Sequence, residues 1–173
     1  KEPYPTAVLE LPVVFNLKAL GFKALRLNTT GNSNTAVGYG SLTTNTTGFK
    51  NTSVGYNSLQ ANTVGTCNTA VGGLALFSNT TGNCNTALGY RSLYGNTTGT
   101  QNVSVGYGSL KLNTIGQYNT ALGYHALRNG TSASNNVGLG MHAGCAITTG
   151  QNNTAIGRDA LSTGTGISNN VAV

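Results

Sequence analysis

His125, His142 and Asp159 follow one another at intervals of seventeen residues. Two imidazoles and a carboxylate are a donor set for a divalent cation. Cys67 and Cys84 are also seventeen apart, a candidate disulfide. Tyr39, Tyr56, Tyr90, Tyr107 and Tyr124 lie at multiples of the same interval. Aromatic rings in a row can stack on sugar rings or on a protein partner, or simply pack over neighbouring backbone. Asn28, Asn45, Asn51, Asn79, Asn96, Asn102, Asn129 and Asn152 each open an Asn-x-Ser/Thr sequon, and Asn45, Asn79 and Asn96 would line one edge as candidate glycan carriers. One interval recurring in unrelated residue sets is a property of the backbone that positions them.

The interval is an internal repeat. Asn34, Asn51, Asn68, Asn85, Asn102, Asn119, Asn136 and Asn153 each open a seventeen-residue unit without insertion or deletion. A worn copy, 17–33, precedes them, and a partial one, 170–173, follows. A fixed length means that each copy returns the backbone to the same place one layer on. Stacked parallel strands do this at about 4.8 Å per layer, whereas paired-helix repeats need about 33 residues or more. The fold expected is an all-β parallel β-solenoid, a β-roll or β-helix with seventeen-residue rungs over 17–173. Residues 1–16, with Pro3, Pro5 and Pro12, break the pattern and read as a cap, arm or adaptor.

Within the unit, position four (Val37, Val54, Val71, Leu88, Val105, Leu122, Leu139, Ile156) and position nine (Leu42 through Leu161, with Gly144 as the exception) are the expected core. Position five is always Gly, which marks a corner. Position one is always Asn, and stacked identical Asn side chains can form a ladder. Positions three and eight are almost always Ala or Ser. With position four inside, position three faces outward and its smallness suits close approach of another chain, so a homotrimer is expected. Alternatively, small residues fit a narrow interior.

Charge and chemistry exclude much. Charged residues are 7% of the chain, against about 25% in an ordinary globular protein. The net charge of +6 comes from singly placed cations, without the clustering that phosphate binding needs, so no nucleic-acid partner is expected. No apolar run is long enough for a membrane helix. Only three acids are present, too few for a clustered hydrolase or lyase site, so no enzyme and no cofactor are expected. A straight column from His125 to Asp159 would span about 10 Å, too far for one ion, so no metal site is expected either. The first residue is Lys1 rather than Met, as expected of a processed or partial chain.

The units "NTAVGYGSL", "NTALGYRSL" and "NTALGYHAL" resemble the head-domain repeats of YadA-like trimeric autotransporter adhesins. The fuller "NTALGYxxLxxNTTGxx" form is similar to repeats of bacterial, phage and giant-virus tail-fibre-like proteins. The resemblance covers 17–173 and implies a trimeric left-handed β-roll on a cell or virion surface, often adhesive, with a surface glycan or receptor as partner. The family's head repeats are shorter, so each rung here carries an extra segment, "NTTG", and neither a heptad stalk nor an anchor barrel is seen. The function expected is a non-catalytic structural fibre or adhesin-like shaft. Its alternatives are an extracellular filament polymerising head to tail and an ice-binding solenoid built on the Thr column at position thirteen.

Overall fold

The computed structural model describes residues 18–173, so the segment expected to cap the coil, 1–16, lies outside the described residues. Ten short strands, from β1 (Lys18–Leu20) and β2 (Thr35–Val37) to β10 (Val171–Ala172), form one parallel sheet in strict chain order. The register advances by seventeen each time: Val37 pairs with Val54, Val54 with Val71, Val71 with Leu88. The chain is an all-β parallel solenoid, one rung per repeat.

Hydrogen bonds between rungs continue around the coil beyond the strands. At position five Gly55 N–H donates to Val37 O, at position seven Asn57 N–H to Tyr39 O, and at position nine Leu42 N–H to Ser58 O. At positions thirteen to fifteen three amides, those of Thr46, Thr47 and Gly48, converge on the single carbonyl of Thr63. This geometry demands left-handed backbone. Among the described residues, every non-glycine with positive φ falls at position seven, nine or seventeen, as Arg91, Leu93 and Gln101 do. Each such residue costs about 1–2 kcal/mol, which persists because the ladders on both sides over-determine it. The corner at position five goes further: a Cβ on Gly38 would stand 2.6 Å from Gly55 O, against backbone that cannot move aside.

The core differs from the expected one. Position nine is inside, with Leu42, Leu59, Leu76 and Leu93 fully buried. Position four is not: Leu88 is 47% and Leu122 51% exposed, and Val37, Val54, Val71 and Val105 are only half-buried. Positions one and three take the interior instead, with Asn34, Ala36, Asn51, Ser53, Asn68 and Ala70 completely buried. Strand alternation then forces positions two and four outward together. The reading of positions three and eight as an outer face is corrected to its alternative, the narrow interior. Ser41 Oγ there donates to Ser53 Oγ at 2.7 Å, inside the coil.

Two asparagine ladders decide that parity. Asn51 Nδ2 donates to Gly65 O at 2.8 Å, while its Oδ1 accepts from the Asn68 backbone N–H at 2.9 Å. At position twelve, Asn62 Nδ2 donates both to Asn45 Oδ1 at 2.8 Å and to Gly65 O at 3.0 Å. A position-one Asn such as Asn51 turned to water would leave the buried Asn68 N–H without its acceptor, at about 1–3 kcal/mol, while Gly65 O would keep only its bond from Asn62.

Candidate functional surface

The coil's exterior is a set of columns, and three of them carry chemistry. The first is aromatic, at position six. Phe22, Tyr39 and Tyr56 stack with ring centroids 5.6 Å apart. Tyr90, Tyr107 and Tyr124 stack at 5.6 and 5.4 Å. The five tyrosines foreseen do share one line, but the line is two stacks, broken where position six is Gly73. Phe22 was missed because it sits in the worn copy; its place at position six was the available signal. A shorter stack, Phe77 on Tyr94 at 5.2 Å, occupies position ten. Arg91 lies beside both aromatic columns, its guanidinium carbon 5.2 Å from the Tyr90 ring centre and 5.7 Å from that of Tyr94.

The second column is position seven. His125 and His142 stack with centroids 5.7 Å apart, and His142 Nδ1 stands 3.4 Å from Asp159 Oδ1. Face-to-face imidazoles aim their nitrogens in parallel rather than at a common point. Burial, then the charges of Arg128, His142 and Lys111, push the His125 pKa below the ordinary histidine value.

The third is the outward aliphatic column at position four, beside the mostly threonine column at position two. It runs unbroken along the sheet from Leu20 to Ile156.

The remaining expected sites lie elsewhere. Asn45, Asn79 and Asn96 are not on an outer edge; each is fully buried, its side-chain nitrogen already donating to the preceding Asn and to a glycine carbonyl. A glycan cannot reach them in the folded coil. Cys67 and Cys84 are neighbours in adjacent rungs, both exposed, and both are free thiols. The Thr hydroxyls at position thirteen are spent on the coil: Thr46 Oγ1 donates to Thr63 O, and Thr63 Oγ1 to Thr80 O.

No protein-family model matches the chain, and neither curated proteins nor solved structures yield a match.

Proposed function

We propose that the chain forms a non-catalytic shaft of a cell or virion surface, three copies closing around the outward aliphatic columns, with the tyrosine stacks as the surface that meets a glycan. The observation that carries this is position four. An apolar stripe of nine residues, eight steps or about 38 Å long, lies along one face of the parallel sheet. Contiguous apolar surface of that extent usually marks an interaction site. A second copy supplies the same stripe, and closure about a rotation axis leaves none exposed. The resemblance of the repeats to trimeric adhesin heads supports three as the number. The spent hydroxyls at position thirteen count against ice binding, which needs an array of free ones.

Native mass spectrometry and light scattering at several concentrations test the reading. A constant mass of three times 17.6 kDa is expected, with Leu88→Lys plus Leu122→Lys giving monomers. Mass growing with concentration would indicate the filament instead, and a wild-type monomer would remove the shaft.

A further inference from the structure

The break in the aromatic column leaves one ring's place vacant. Within each stack an inner ring is covered on both faces. At Gly73 one ring is missing, so Tyr56 and Tyr90 face each other across two stacking steps. On one side of the gap Tyr56 is the most exposed tyrosine of the column, at 57%; on the other Tyr90, at 43%, is no more exposed than the inner rings. The backbone beneath is not disturbed: Leu74 N–H donates to Tyr56 O at 2.8 Å and Arg91 N–H to Gly73 O at 3.1 Å. A Cβ on Gly73 would meet the Tyr90 ring at 3.3 Å, an atom that can give way, and Gly73 does not have positive φ. The gap follows from the missing side chain at position six, and the Tyr90 ring leans over Gly73 on one side of it.

The vacant place lies between the two tyrosines, one rung from each, where a pyranose can offer a C–H face to either ring. Charge then selects among rings. Arg91 borders the slot with its guanidinium held against Tyr90 and Tyr94. Its Nε is buried without a hydrogen-bond partner. The acid among the described residues, Asp159, is four rungs away and paired with His142 and Arg158. A guanidinium fixed on aromatic faces keeps its outer N–H fork for a planar anion, and a carboxylate matches that fork with two hydrogen bonds. A nucleotide strand would need further cations along its phosphates, and cations here are single.

We infer that the Gly73 gap binds a hexuronic acid residue of an acidic polysaccharide, its pyranose ring between Tyr56 and Tyr90 and its carboxylate on Arg91. This rests on the reading of the tyrosine column as a glycan-contacting surface and names the sugar class. The slot takes one sugar per copy, so each affinity is weak and copies in one assembly add avidity.

Calorimetric titration with tetragalacturonate, and with galactotetraose as the uncharged counterpart, decides it. Wild type is expected to bind the acidic sugar at least tenfold more tightly. Gly73→Tyr, which inserts the residue the column uses elsewhere, is expected to lose at least tenfold in affinity with an unchanged melting temperature. Arg91→Gln is expected to erase the preference for acid. Should Gly73→Tyr fail to fold, Tyr56→Leu serves in its place, with the same loss expected. Wild type binding neither sugar, binding both alike, or binding undiminished in the slot variants would overturn the assignment. Undiminished binding in the slot variants would still leave the column as a glycan surface, and the mass of the same samples tests the shaft separately.

Discussion

Ile147 occupies the room that Gly144 leaves. A Cβ on Gly144 would stand 3.3 Å from Ile147 Cδ1 and 2.6 Å from Leu127 Cδ2, so the interior of that rung is filled from position twelve and from the rung before. Elsewhere position nine is Leu and position twelve is Asn, except that Gly130 and Gly164 follow Leu127 and Leu161. Interior volume is thus shared among positions nine, twelve and fifteen, and a change at one is matched at another.

The pair should behave as a unit. Gly144→Leu alone is expected to cost about 1–3 kcal/mol by overpacking. Backbone strain is not the cause, because φ at Gly144 is 61° and the leucines at position nine already adopt such values. Gly144→Leu with Ile147→Asn should recover most of the loss. Urea unfolding of the two single variants and the double variant measures the coupling.

The position-twelve ladder ends at Asn113, whose Oδ1 is buried without a donor because the next position is Gly130. Gly130→Asn alone meets the methyl of Ala133, 3.2 Å from where its Cβ would lie. Gly130→Asn with Ala133→Gly clears that contact and supplies the donor. The added amide moves the unpaired oxygen one rung on, because position twelve there is Ile147, so the double variant is expected to stay within about 1 kcal/mol of wild type and Gly130→Asn alone to be less stable. Thermal unfolding followed by circular dichroism compares them.

How far the sequence was readable follows from what a repeat encodes. Length and register were fully legible, because seventeen-residue spacing leaves one way to stack. The parity of the strand was not. Position four looks like core and position one like surface when residues are ranked by polarity alone. The coil reverses this because Asn34 and Asn45 converge on the one carbonyl of Gly48, at 2.7 and 2.9 Å. A buried amide network of this kind is invisible to hydropathy. The same inversion put Asn45, Asn79 and Asn96 at the surface in the sequence reading and Leu88 and Leu122 inside it. The Gly73 gap was legible as a missing tyrosine, but its meaning needed the stacked rings on either side.

Acid should loosen the coil around His125. Its pKa lies below the ordinary histidine value through burial first, then through Arg128, His142 and Lys111, while Asp159 contacts His142 and not His125. The folded chain therefore takes a proton there less readily than the unfolded chain. This contribution costs nothing above the ordinary histidine range and destabilises as pH falls through it. Melting temperatures from about pH 8 to about pH 5 should fall less steeply for His125→Gln than for wild type.

The thiols should sort into two classes. Cys67 and Cys84 are exposed, whereas Cys145 is half-buried, and burial and the Asp159 carboxylate push its pKa up. Because the thiolate is the reacting form, two cysteines should label fast and Cys145 slowly with a maleimide near neutral pH. Asp159→Asn should speed Cys145 without affecting the other two; mass spectrometry of timed samples reads both.

The outward aliphatic column is where the account is most exposed. A spin label on Leu88→Cys, in a chain with Cys67, Cys84 and Cys145 replaced by serine, reports distances between copies by dipolar spectroscopy. A single short inter-copy distance, lost on adding Leu122→Lys, is the predicted result. Labels that show no coupling between copies would contradict the account.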